Sequence, residues 1–228
     1  MPQTGLDRKQ FWNDKILTWE SERYEQHGPP ASFMERFAKK FGGVNERLEI
    51  AKRIMLPNVR GKRVVELGCG SGLLAESLIE AGAASVHGID IAETAIKHAQ
   101  ERIKAKGLSD KVSFAAGEVG HRQRFDADFV FSLGLLDWLT WEEVENIFRA
   151  SNGGDFLHSF SENQKSIWVP IHKVYVYIKY ARKNKNYVIR YDDAEELRRL
   201  AAKHTDKKLS IYRNKKMRFG AFITTLPV

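Results

Sequence analysis

The stretch VVELGCGSG, Val64 to Gly72, restricts this chain more than any other. A β-branched apolar run leads to an acid, Glu66, and glycines then stand at alternate positions, Gly68, Gly70 and Gly72. Helix-forming residues, LLAESLIEAG, follow at once. The pattern reads as strand, tight turn, helix. Glycines at this spacing let the backbone bend sharply and let a ligand lie against it with no Cβ between. About twenty residues further on, where a ribose-binding acid is expected, a second apolar run, SVHGID, ends in Asp90. A glycine loop after one strand and a carboxylate at the tip of the next describe a pocket for an adenosine-type ligand.

ELGCGSG followed by GID resembles the class I S-adenosylmethionine-dependent methyltransferases. The dinucleotide fingerprint places its third glycine five residues after the first. Here the third glycine comes four after the first, with an acid two residues before the first, which is the methyltransferase spacing. An NAD oxidoreductase therefore fits poorly.

With 228 residues and 43% hydrophobic content, the chain suits one α/β domain with a full core. There is no run of eighteen apolar residues, so no membrane span is expected. The N-terminus has no apolar signal region. A lone cysteine, Cys69, leaves no intramolecular disulfide and suits the cytoplasm. Cys69 reads either as a nucleophile or as a small residue of the glycine loop. The net charge of +8 is uneven: Lys165 to Arg218 contains 16 Lys or Arg and 5 Asp or Glu, leaving the rest slightly acidic. Such a basic stretch suits nucleic acid, membrane headgroups, an anionic small substrate, or simply a solvated face.

The periodicity predicts an amphipathic helix over 6–25, with Trp12, Ile16 and Trp19 on one face, then helices near 32–41 and 44–56. Strands are expected at 62–67, 85–90, 111–117, 126–134 and 155–161, with helices at 72–82, 92–107 and 141–150 between them. The segment 166–183 reads as a helix starting at Pro170, with Val174, Tyr177, Ile178 and Ala181 on one face, or as a strand. A helix over 192–204 and strands at 208–213 and 219–226 close the chain. The expected fold is a Rossmann-like, seven-stranded, mostly parallel sheet with helices on both faces, an antiparallel last strand and an N-terminal helical cap. The whole chain, 1–228, is expected to be one domain. It divides into a helical lid (1–60), a cofactor-binding core (61–161), an inserted acceptor lid (162–191), and a helix with hairpin (192–228).

The resemblance implies S-adenosyl-L-methionine as cofactor. It places Gly68, Gly70 and Gly72 against the amino-acid end, Glu66 on the ammonium, Asp90 on the ribose hydroxyls and Ile91 on the adenine. Glu118 and Val119 would meet the adenine edge, and the carbonyls of Ser132 and Leu133 the ammonium. Trp19 and Tyr24 could face the sulfonium from the lid.

An oxygen or ammonium acceptor needs a base. Asp137 is the first candidate, as base or acceptor-orienting group; its alternative role is an N-cap for the helix beginning near Thr140. His172 and Tyr24 are further candidates, and His158 reads as a core histidine. No metal-binding motif is found. Ser132-Leu133-Gly134-Leu135 lacks the Pro-Pro-aromatic motif of amino-methylating nucleic-acid enzymes of this fold. The expected reaction is methyl transfer to an oxygen or nitrogen of a small polar or anionic molecule. The alternatives are an RNA methyltransferase using the basic face, with tyrosines stacking on bases, and a non-catalytic cofactor-binding module. Over 133–191 the chain also shows a patchy resemblance to the tetrapyrrole O-methyltransferases.

Overall fold

The computed structural model describes residues 5–24, 44–151, 153–177 and 189–228. Strands β1 (Arg63–Leu67), β2 (Ser85–Asp90), β3 (Val112–Ala116), β4 (Phe129–Ser132), β5 (Asp155–Ser161), β6 (Ser210–Arg213) and β7 (Gly220–Thr224) form one sheet in the order β3-β2-β1-β4-β5-β7-β6. The first five run parallel, and β7 pairs antiparallel with both β5 and β6. The helices are α1 (Gly5–Tyr24), α2 (Val44–Met55), α3 (Ala75–Glu80), α4 (Glu93–Ala105), α5 (Trp141–Ala150), α6 (Trp168–Val176) and α7 (Ala194–Ala202).

Alternation within the strands decides which helix covers which face. Val64 of β1 and Phe129 and Phe131 of β4 share a core with Ile50 of α2, Leu78 of α3 and Ile96 of α4. Val65 and Leu67, on the opposite face of β1, share the other core with Ile147 and Phe148 of α5 and Leu197 of α7. The sheet is thus covered on both sides, as the alternating strand and helix pattern requires. Its order reverses between β1 and β4, which opens a crevice beyond the carboxyl ends of those strands.

Helix α1 spans that crevice. At one side Lys9 pairs with Glu93 and Thr94 Oγ1 donates to the Asn13 carbonyl, while Ile16 packs on Ala92 and Ala95. At the other side Arg8 makes a two-pronged pair with Glu143 at the start of α5. Glu143 is also half of a capping box: its carboxylate accepts from Thr140 N–H at 2.7 Å, and Thr140 Oγ1 accepts from Glu143 N–H at 3.2 Å.

Several expected boundaries shift for local reasons. The helix after the glycine loop begins at Ala75 rather than residue 72, because Gly72 holds φ near +68° and cannot join a right-handed helix. β4 is confined to Phe129–Ser132: Asp128, just before it, chelates the Arg63 guanidinium, and Gly134, just after it, turns at φ +77°. Of the helix and strand readings of 166–183, the helix holds over Trp168–Val176, with Val174 and Tyr177 exposed. The turn before β7 contains a short 3-10 helix, Lys215–Met217, capped by Asn214. The helix expected near 32–41 lies outside the described residues, as do Ile178 and Ala181.

Candidate active site

A cavity of about 220 Å³ fills the crevice. Of the residues singled out above, Glu66, Gly68, Gly70, Asp90, Ile91, Glu118, Val119, Leu133, Asp137 and His172 line it together. They come from the ends of β1, β2, β3 and β4 and from α6, which the sheet order brings side by side.

The glycine loop turns tightly over the end of β2, where Gly68 N–H and Cys69 N–H both donate to the Ile89 carbonyl. Gly70 holds φ near +52°, and a Cβ there would lie 2.0 Å from Glu20 Oε1. Gly72 is outside the cavity lining. Its missing Cβ makes room for the Phe114 ring, which a Cβ would meet at 2.3 Å, and its carbonyl accepts from the Arg102 guanidinium. Asp90 is fixed at both oxygens: Oδ2 accepts from Gly70 N–H at 2.8 Å and Oδ1 from Ala92 N–H at 2.9 Å. One carboxylate therefore locks loop and strand end into a single unit.

Three carboxylates converge here. Glu66 and Asp90 are joined by Glu20 from α1, whose Oε1 accepts from Ser71 N–H at 3.0 Å. Burial raises the pKa of all three; Glu66 is raised furthest, by burial first and then by the charges of Glu20 and Asp90. Glu66 Oε2 is buried and has no hydrogen-bond partner among the described residues. Buried acids of one sign, one with an orphaned oxygen, make a receptor for a cation. Arg47 of α2 lines the same cavity, with its Nε buried and unbonded among the described residues and its guanidinium packed against Gly134, where a Cβ would lie 2.7 Å from Nη1. Cation-seeking acids and a guanidinium lining one cavity match the zwitterionic amino-acid end of S-adenosylmethionine. The nearby burial and acids push the Cys69 thiol well up, so it stays protonated as a buried member of the loop.

Other expected contacts fall differently. Of the two residues whose carbonyls are expected at the ammonium, Leu133 lines the cavity and Ser132 does not; Ser132 is fully buried, with its hydroxyl 2.9 Å from His158 Nδ1. His158 is stacked on Phe156 and edge-on to Phe148, and burial lowers its pKa to about 3, so it is a neutral core histidine. The Glu118 side chain is exposed at the cavity rim, with His121 Nε2 3.9 Å away. Tyr24 ends α1, and its side chain, like that of Trp19, lies outside the described residues. The aromatic wall comes instead from Trp12 and Trp138, which meet edge to face at 5.1 Å.

Asp137 lines the cavity just beyond the end of β4. It does not cap α5, since Thr140 does that. Its Oδ1 accepts from Ser161 N–H at 2.7 Å and its Oδ2 from Ser161 Oγ–H at 2.8 Å, fixing it against the end of β5. Burial is the main cause that lifts its pKa to about 6; the Ser161 bonds and Arg47 oppose that rise. His172 reaches the cavity from α6, with Nδ1 2.6 Å from Tyr191 Oη and its ring on Phe219 at 4.5 Å. Burial, with the Asp137 charge second, keeps the Tyr191 phenol protonated. Among the described residues, no group of three or more His, Cys, Asp or Glu is placed to hold a metal ion.

Glu20, Arg47 and Arg8 escaped the sequence reading. Their only available signal was a charged residue on the core-facing side of an amphipathic helix.

Fold and site define a class: the chain carries a class I S-adenosylmethionine-dependent methyltransferase domain. Residues 64–152 match the family model described as a methyltransferase domain. Among characterised relatives, ribosomal protein L11 methyltransferase of Syntrophomonas wolfei is 37% identical over 100 residues, 43% of this chain and 33% of that protein. The ubiquinone biosynthesis O-methyltransferase of Neisseria meningitidis serogroup C is 45% identical over 53 residues, 23% of this chain and 22% of that one. The chain thus spans a third or less of these relatives. The magnesium protoporphyrin IX methyltransferase of Synechocystis PCC 6803 with bound SAH shares the fold, with a TM-score of 0.72 at 15% identity over 99% of this chain and 100% of that one. So does phosphoethanolamine N-methyltransferase 2 of Haemonchus contortus in complex with S-adenosyl-L-methionine, with a TM-score of 0.61 at 20% identity over 91% of this chain and 44% of that one.

Proposed function

We propose that the chain, acting as one domain, transfers a methyl group from S-adenosylmethionine to an oxygen or nitrogen of a small polar or anionic acceptor. The observation that carries this reading is the orphaned, buried Glu66 carboxylate oxygen, set with Asp90 and Glu20 in a cavity also lined by Asp137. When bound, the cofactor supplies an electrophilic methyl group on a sulfonium.

Every other part belongs to the protein. Glu66 accepts from the ligand's ammonium, and Arg47 donates to its carboxylate. The backbone donors already on Asp90 leave further lone pairs on both oxygens for the ribose hydroxyls. Ile91 and Val119 flank the adenine. Helix α1, pinned at Arg8 and Glu20, excludes water, which lets an acceptor be held in line with the methyl group. Asp137, ionised above about pH 6, takes the acceptor's proton. His172, braced by Tyr191, orients the acceptor. The proteins of similar fold named for magnesium protoporphyrin and phosphoethanolamine act on small molecules, which supports an acceptor of that size.

The test is a metabolite extract incubated with the protein and deuteromethyl-labelled cofactor. Mass spectrometry is expected to show one new product heavier by one labelled methyl. Tight cofactor binding with no product across broad extracts would leave a binding module instead.

A further inference from the structure

We propose that the outer face of α6 docks on an anionic lipid surface. This helix is turned the opposite way from one that merely covers a core. Its inner side puts Val169 into the protein and His172 at the cavity. Its outer side, with the residues capping it at either end, presents Ile167, Ile171, Val174 and Tyr177, spaced four, three and three residues apart. They are 71, 41, 58 and 62% exposed. A single exposed apolar side chain is ordinary, but four on one helical face form a ridge that calls for a partner.

The composition of the sequence here selects the partner. Residues 165–190 contain seven Lys or Arg and no Asp or Glu, interleaved with one tryptophan and four tyrosines. Lys165, just before the helix, and Lys173, within it, are exposed, the latter with its Nζ 5.0 Å over the Tyr191 ring. On an anionic bilayer the isoleucines and valine sink below the phosphates. The lysines pair with those phosphates, and Tyr177 sits at the boundary between hydrocarbon and headgroup. RNA would satisfy the cations and tyrosines but leave the aliphatic ridge in water. No helix among the described residues is long and apolar enough to cross a membrane, so the attachment is peripheral. Because His172 and the ridge lie on opposite sides of one helix, docking holds the cavity within about one helix diameter, about 10 Å, of the lipid.

This surface does not rest on the methyl-transfer reading, and its test reads partitioning rather than turnover. The full chain is floated with vesicles of phosphatidylcholine alone and with vesicles containing phosphatidylglycerol. It is expected to float with the anionic vesicles only, more weakly as salt rises. The double variant Ile171→Glu/Val174→Glu, with its melting temperature measured to show that it is folded, is expected to lose partitioning by about tenfold or more. Absence of flotation with anionic vesicles at low salt would overturn the proposal, as would a folded double variant that floats like the parent. A single-stranded oligoribonucleotide that displaces the protein from vesicles, and whose binding the double variant weakens equally, would assign the face to RNA and overturn it too.

Discussion

Glu20 and Ser71 meet across the crevice: the carboxylate of the covering helix accepts the backbone N–H of the glycine loop at 3.0 Å. The same Glu20 oxygen fills the space where a Cβ on Gly70 would stand. Lid and loop therefore share one polar contact, and that contact adds a third acid to the pair at the ends of β1 and β2. The site holds more negative charge than the empty fold can comfortably ionise, and a cationic ligand relieves it.

Glu66→Gln is expected to move stability and affinity in opposite directions. Without ligand, it removes a buried carboxylate whose charge faces Glu20 and Asp90, so the melting temperature should rise by a few degrees. With cofactor, it removes the partner of the ammonium, so affinity should fall at least about tenfold. Thermal melts with and without S-adenosylmethionine check both signs. A variant that melts lower in both conditions would take Glu66 out of the cation site.

Asp90→Ala is expected to weaken cofactor binding by at least about tenfold, the worth of a lost charge-assisted pair of hydrogen bonds. It also frees the N–H groups of Gly70 and Ala92, so the milder Asp90→Asn should retain more affinity. Calorimetric titration of both variants is the measurement. Unchanged affinity in Asp90→Ala would remove this residue from the ligand's contacts.

Asp137→Asn should keep cofactor affinity and lower turnover by about a hundredfold or more, the usual span of a lost general base. In the parent protein the rate should climb as pH rises through about 6, because only the ionised carboxylate accepts a proton. That limb should vanish in the variant. Undiminished turnover would leave Asp137 only its hold on Ser161.

Two opposed groups, His158 and Asp137, should be separable in the pH dependence of the fold's stability. Burial lowers the His158 pKa from 6.5 to about 3. The unfolded chain therefore takes up that proton first, and stability is full above 6.5 and falls with acid by up to about 1.4 kcal/mol per pH unit. Burial lifts the Asp137 pKa from 3.8 to about 6. Between those values the folded chain keeps a proton that the unfolded chain has released, so stability falls as pH rises. From about pH 4 to 6 the two slopes cancel. His158→Phe should expose the Asp137 slope, and Asp137→Asn the His158 slope, in denaturant midpoints measured across that window. Parallel profiles in all three proteins would show that neither group titrates as its burial implies.

Much of the fold is legible in the sequence because it rests on local signals. β2, α5 and β5 begin and end where the pattern of apolar residues, caps and turn residues puts them. The loop from Gly68 to Gly72 and the acids at the ends of β1 and β2 are likewise local, and the sheet order brings them together. What the sequence hides is side-chain direction across distant elements. The Ser132 hydroxyl, for one, turns to His158 on the face of β4 that strand alternation assigns it. Glu20 and Arg47 sit on helices whose periodicity marks a buried face without saying that the buried face borders a cavity. α6 follows β5 in the chain, and its Val174 and Tyr177 are exposed.

Glu143 answers to two masters. The carboxylate that closes the capping box of α5 also grips Arg8, 135 positions earlier in the chain. A graft of a foreign N-terminal segment onto this core would strand a buried anion unless it brought its own guanidinium. Any exchange of lids between relatives, by a protein engineer or by recombination, must therefore carry both ends of that clasp or rebuild the entrance to α5.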